Sequence, residues 1–211
     1  MIRTGVRTAA WQVQSLLLGY PDDTLLGELP LLTRASAALP VAIGGPLRPL
    51  LSHLHDGAPV DLAAEYVDTF DHRKRFSPYL TYFSHGDTRK RGMALLRLKQ
   101  LYRDAGWQLD DGELPDHLGV VLEFAATEPE DGLRVMTDYR AGIEVMRSAL
   151  RDFGSPWTGV LDSLSATLPA LRGSDSDAVA KLIAAGPPGE EVGTDPFAPP
   201  TYMPTPIGGR R

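Results

Sequence analysis

Histidines are the first residues to test for chemistry, because imidazole is both the commonest metal ligand and a ready general base. The chain has five. His53-x-His55 sets two rings two residues apart, which on a helix turns them to different sides. His72, His85 and His117 stand singly, with no His-x-x-x-His and no Glu-x-x-His pair to build a di-metal core. Cysteine is absent, which removes disulfides, thiolate metal sites, iron–sulfur ligation and thiol nucleophiles together. The serines lie in no Gly-x-Ser-x-Gly elbow, and no glycine-rich phosphate loop occurs. The acid pairs Asp110-Asp111 and Glu190-Glu191 fall in loop-like sequence, where carboxylates are ordinarily solvated. An Asp116–His117 base and orienter would still need a nucleophile or a metal. No catalytic residue, metal or cofactor is therefore expected, and the chain reads as a non-enzyme.

Two stretches carry binding chemistry instead. After Phe70 come four rings, Phe76, Tyr79, Tyr82 and Phe83, in a segment that also holds Arg73, Lys74, Arg75, Arg89, Lys90 and Arg91. Rigid rings bury area at low entropic cost, so rings with cations suit a peptide or nucleotide site. The same rings equally suit anchoring a long loop to the core, and both readings stand at this point. The second stretch is Leu114-Pro115-Asp116-His117-Leu118. A carboxylate there meets a helix N-terminus, worth about 0.3–1 kcal/mol, and His117 adds a donor that titrates near neutral pH.

The elements that must position these residues are helical. Val6, Ala10, Val13, Leu17 and Tyr20 follow a 3.6-residue repeat that Gly19-Tyr20-Pro21 ends. A second helix runs from Asp22-Asp23 to about Leu39, across Gly27 and Pro30. Leu47 to His55 and Asp61 to Phe70 form two more, with Gly44-Gly45-Pro46 as a turn. Asp71 to Gly86 lacks a period and reads as a long loop holding one helical turn at most. The next helix spans about 87–105, capped by Asp87 or Thr88, with Gly106 just past its end. Further helices cover about 116–127, 132–153 (the longest) and 156–168, the last capped by Ser155 with Pro156 in its first turn. Ser174 and Asp177 resemble a capping box for a final helix to about Ala185. No window alternates with period two. The expected fold is all-α, a single-domain bundle of roughly eight to nine helices over 1–185. Residues 186–211, rich in proline and glycine, read as a flexible tail.

With 43% hydrophobic residues the chain can bury a core without staples. Nowhere do roughly 20 apolar residues run together, so no membrane insertion is expected. Met1 to Arg7 leads into a helix interrupted by Gln12, Gln14 and Ser15, without the apolar core of a signal peptide, which points to the cytoplasm. A net charge of −6 disfavours nucleic acid as the main partner. The charge is uneven, however. Residues 72–91 hold six cations against Asp87, so a helical nucleic-acid-binding regulator using that segment is the alternative reading. The acidic remainder suits a basic partner segment.

Five motifs then occur in a telling order: Leu17-Leu18-Gly19-Tyr20-Pro21, Tyr66-Val67-Asp68-Thr69-Phe70-Asp71, Leu80-Thr81-Tyr82, Gly86-Asp87-Thr88-Arg89-Lys90-Arg91-Gly92 and Pro115-Asp116-His117-Leu118. In this the chain resembles the NarJ family, the nitrate reductase delta-subunit type of molybdenum cofactor assembly chaperone, related to the TorD-like chaperones. Glu190 to Phe197 also looks like that family's C-terminal motif. Pro78 stands where an aliphatic residue is usual, and Thr194-Asp195 where Leu-Glu is common. The resemblance implies an all-α chaperone that binds the N-terminal segment of the apo nitrate reductase catalytic (alpha) subunit while molybdenum cofactor is inserted. It maps client-peptide binding to Tyr20, Pro21, Phe70, Tyr79, Tyr82, Phe83, Asp116 and His117, with Arg89 and Arg91 as neighbours. On this reading, alanine at Tyr82 or Phe83 weakens client binding and leaves the fold intact. The long 71–86 connection would also allow a domain-swapped homodimer.

Overall fold

The computed structural model describes residues 2–86, 88–110, 112–171 and 173–185. They form α1 (Thr4–Leu17), α2 (Asp23–Ala38), α3 (Val41–Gly44), α4 (Arg48–Asp56), α5 (Pro59–Phe70) and α6 (Leu80–His85). Then follow α7 (Arg89–Asp104), α8 (Leu118–Thr127), α9 (Pro129–Asp138), α10 (Arg140–Phe153), α11 (Thr158–Thr167) and α12 (Gly173–Ala185). Short 3-10 turns lie at Gly45–Leu47 and Lys74–Phe76. Among the described residues there is no strand, only one antiparallel bridge between Tyr79 and His117. None of the described helices is long and apolar enough to cross a membrane.

The centre of the bundle is the pair α1 and α8, which pack on each other more extensively than any other two elements. In α8, Leu118 through Leu122, Phe124 and Ala125 are all buried, as a helix apolar on every side must be. α1 turns Ala10, Val13 and Leu17 inward, as its periodicity predicts, and buries Trp11 beside them. Its inner face is not wholly apolar. Gln14 Nε2 donates to Ser163 Oγ (2.7 Å) and Trp11 Nε1 to Thr167 Oγ1 (2.9 Å), tying α1 to α11. Each such bond contributes about 1 kcal/mol net and fixes the register of the two helices.

The roughly eight to nine helices expected from periodicity become twelve among the described residues, for three reasons. Residues 41–44 add a short turn of helix before α4, so Gly44-Gly45-Pro46 continues helically instead of turning. The 71–86 loop contains a 3-10 turn and all of α6. The long helix predicted over 132–153 breaks at Tyr139, whose φ/ψ of −100°/16° ends α9 and begins α10. The capping expectations also change. Thr88 takes the N-cap position of α7 but donates its hydroxyl to His85 O (2.9 Å). Ser155 accepts from Trp157 N (3.3 Å) in a turn, and α11 starts three residues later than Ser155. α2 stays continuous through Pro30, which lies on its exposed face. Asp87, the side chain of Ser174 and the 186–211 tail lie outside the described residues.

Candidate functional site

Two corners of the chain meet at one end of α1 and α8. The first is Leu18 to Asp22, between α1 and α2. Tyr66 Oη donates to Leu18 O (2.9 Å) and its ring stands edge-on to Tyr20 at 5.5 Å. Burial drives the Tyr66 hydroxyl pKa far up, so it remains a donor. Phe70 and Trp157 back the Tyr66 ring at 4.7 and 5.6 Å. Asp22 then caps α2 by accepting from Leu25 N (2.9 Å). The corner is held rigid, with Pro21 buried and Tyr20 49% exposed at its tip.

The second corner is Pro115 to His117, where the loop enters α8. Tyr102 Oη donates to Pro115 O (2.6 Å). Leu80 N donates to Asp116 O (2.9 Å) and Leu118 N to Pro78 O (2.8 Å), which pins the start of α6 to the start of α8. Pro78 serves here through its carbonyl alone, so the proline costs this pairing nothing. The Asp116 side chain is fully buried. Its Oδ2 accepts from Thr81 N (3.2 Å) and Thr81 Oγ1 (2.5 Å), with Arg91 Nη2 at 3.9 Å. Its Oδ1 has no hydrogen-bond partner among the described residues. His117 is the N-cap of α8, and its Nδ1 accepts from Gly119 N (3.2 Å). Burial holds its pKa below the ordinary value while the Asp116 charge pulls it back up, so the neutral ring fits both the acceptor role and the surroundings. Tyr79 leans edge-on against His117 at 5.4 Å, with the Arg91 guanidinium 5.7 Å from its other contact point, the ring centroid.

Between the corners runs a groove of about 370 Å³. Leu16, Leu18, Leu25 and Val120 give it an apolar floor, and Tyr20 and His117 stand in its walls. Asp22, Glu28, Glu113 and Glu123 line it as well, and no lysine or arginine does. The Glu123 carboxyl is pushed up by burial and then by the charges of Glu113 and Asp110. The groove can take an apolar side chain together with a cation, and the hydroxyl of Ser15 in its lining is engaged as a donor to Gly119 O (2.8 Å). Among the described residues no side-chain hydrogen bond links Asp116 to His117, and no cluster of three histidines or acids is arranged to hold a metal.

The sequence-predicted residues thus separate. Tyr20 and His117 face one groove, with Pro21, Tyr79, Asp116 and Arg91 directly behind it. Phe70, Tyr82 and Phe83 are 7, 7 and 5% exposed and belong to the packing of the bundle. Truncating Phe83 costs about 3–5 kcal/mol of stability, so the expectation that alanine there leaves the fold intact is corrected. Arg89 sits apart on exposed α7 surface. The basic run 72–91 is not one patch: Arg73 pairs with Asp68 (2.8 Å) and covers the Phe153 ring, whereas Arg91 turns inward to Thr81. Residue types alone did not single out Tyr66, Tyr102, Thr81 or the four groove carboxylates. Tyr66 and Thr81 at least lie within the quoted motifs.

Residues 36–162 match the family described as nitrate reductase delta subunit. The chain belongs to the nitrate reductase delta-subunit family. Within it, the chain is 35% identical to the probable nitrate reductase molybdenum cofactor assembly chaperone NarJ of Bacillus subtilis, over 79% of this chain and 92% of that protein. It is 32% identical to the nitrate reductase molybdenum cofactor assembly chaperone NarJ of Escherichia coli K12, over 82% of this chain and 74% of that one. The nitrate reductase-like protein NarX of Mycobacterium tuberculosis is 40% identical over 74% of this chain, which spans only 24% of NarX. A crystal structure of a candidate redox enzyme maturation protein from Archaeoglobus fulgidus superposes with a TM-score of 0.56 at 25% identity, over 75% of this chain and 91% of that one.

Proposed function

We propose that this delta-subunit family member is a cytoplasmic assembly chaperone. It binds the N-terminal segment of an apo nitrate reductase catalytic subunit and keeps it accessible for molybdenum cofactor insertion. The observation that carries the reading is the groove between the Tyr20 and His117 corners. It combines an apolar floor, an exposed ring and four carboxylates. That is the chemistry of holding a segment that presents apolar and cationic side chains, and of releasing it unchanged. Masking such a segment also keeps an apolar surface of the unfinished subunit from aggregating.

The test is calorimetry of the full chain with a synthetic peptide of the client's N-terminus. Tyr20→Ala removes a half-exposed ring without opening the core, and the expected result is affinity about tenfold lower, or about 1.4 kcal/mol, at unchanged helicity. Wild-type affinity in that variant would remove the groove from the binding site. Capture of the cofactor-free catalytic subunit from native cytoplasm would establish the client itself.

A further inference from the structure

α7 is out of keeping with the rest of the molecule. It carries six of the chain's 21 lysines and arginines and one of its 27 acids, in a protein of net charge −6. Several arginines elsewhere are paired: Arg134 with Asp131 at 2.7 Å, Arg147 with Glu144 at 2.7 Å and with Asp162 at 3.1 Å. On α7 the exposed Arg89, Lys90, Arg97, Lys99 and Arg103 join no ion pair among the described residues. Arg103 reaches only the neutral Gln100 (2.9 Å).

The cations do not stand alone. Arg89, Met93, Leu96, Gln100 and Arg103 follow steps of four, three, four and three, one stripe of the helix. Met93 and Leu96 in the middle of it are each 56% exposed. The stripe is roughly 21 Å long. At its C-terminal end Leu96, Trp107 and Leu109 line a cleft of about 530 Å³ with Lys99, Arg103 and a single acid, Asp110.

We infer that this outer face of α7 is a docking surface for an anionic lipid bilayer. A helix face with Met93 and Leu96 between Arg89 and Arg103, flanked by Lys90 and Arg97 on one side and Lys99 on the other, matches a surface that is charged outside and apolar just beneath. The cations meet headgroup phosphates, and the methionine and leucine enter the acyl boundary. Nucleic acid would satisfy the cations and leave Met93 and Leu96 without a partner. The acidic remainder of the molecule is repelled by the same lipid, which turns α7 toward it. The client groove lies on α1, α2 and α8, so this inference stands apart from the proposed chaperone reading.

Co-sedimentation of the full chain with vesicles tests it. The expected result is binding to vesicles of phosphatidylglycerol mixed with phosphatidylcholine at low salt, lost as salt rises, and none to phosphatidylcholine alone. Each cation beside an anionic leaflet contributes about fivefold, so Arg97→Glu with Lys99→Glu weakens binding at least about 25-fold. Met93→Ser with Leu96→Ser, at unchanged charge, weakens it about fivefold or more. Circular dichroism checks that both variants keep their helices. No binding to the anionic vesicles at low salt, or equal binding by wild type and variants, overturns the inference. So does tight binding to duplex DNA that the Met93→Ser, Leu96→Ser variant retains, since that result assigns the face to nucleic acid.

Discussion

Asp116 shows how one side chain organises the site without touching a ligand. A carboxylate with no exposure survives only if it is hydrogen-bonded and faced by a cation, and here Thr81 and Arg91 supply both. Thr81→Val keeps the shape and deletes the hydroxyl, leaving the carboxylate with one backbone donor. The expected cost is about 1–3 kcal/mol, read as a lower denaturant midpoint with an unchanged slope. His117 makes a complementary prediction about pH. Burial lowers its pKa in the folded chain below 6.5, the ordinary value, so the unfolded chain takes up the proton first as pH falls. Its contribution to stability is complete above about 6.5 and declines from there down to the folded pKa. His117→Asn preserves an N-cap acceptor for Gly119 N and removes the titration. Unfolding curves from about pH 7 to about pH 5 should fall less steeply for that variant; parallel curves would exclude His117 as the titrating group. The pairing of Tyr20 with His117 was legible only through the motifs, because nothing in local spacing brings residues so far apart in sequence into one groove.

Most of the helices were legible in the sequence, and the exceptions share a cause. Periodicity located α1, α2, α5, α7 and α8 within a few residues, and Gly106 takes the positive φ (77°) expected just past a helix end. It did not see α6, whose six residues are too few to show a repeat and whose four leading side chains are all buried. For the same reason the rings of Tyr82 and Phe83 read equally well as binding anchors and as core. The break at Tyr139 was hidden too, because the apolar stripe of Ile143, Met146 and Leu150 continues in step with α9. What redirects the chain is tertiary: Glu144 accepts from Arg140 (2.6 Å) and from Ser165 Oγ (3.0 Å), fixing α10 along α11. The α8–α9 corner likewise depends on close approach. A Cβ at Gly132 would lie 2.2 Å from Ala125 Cβ and 2.3 Å from its Cα. Gly132→Ala should therefore destabilise the chain by about 1–3 kcal/mol despite alanine's better helix propensity. A rise in melting temperature would show that the two helices can part without cost.

At the scale of the whole molecule the charge is sorted rather than merely negative. Among the described residues the groove between the two corners is lined by four carboxylates and no lysine or arginine, while α7 carries five exposed cations. If the groove takes a client segment as proposed, a positively charged one would be drawn to the first face and turned away by the second, so encounter and orientation would be set before contact. Apolar burial on the groove floor would then set how long the segment stays, since dissociation responds to packing and association to field. These two contributions separate experimentally. Raising ionic strength from low to physiological should slow client-peptide association about tenfold and leave dissociation nearly constant, because the Debye length shrinks to about 8 Å. Glu113→Lys with Glu123→Lys should abolish that salt dependence in stopped-flow measurements, whereas Tyr20→Ala should keep it and speed dissociation. If the Glu113→Lys, Glu123→Lys variant retained the wild-type salt slope, the steering field would have to come from elsewhere on the acidic body, and the groove would act through its floor alone.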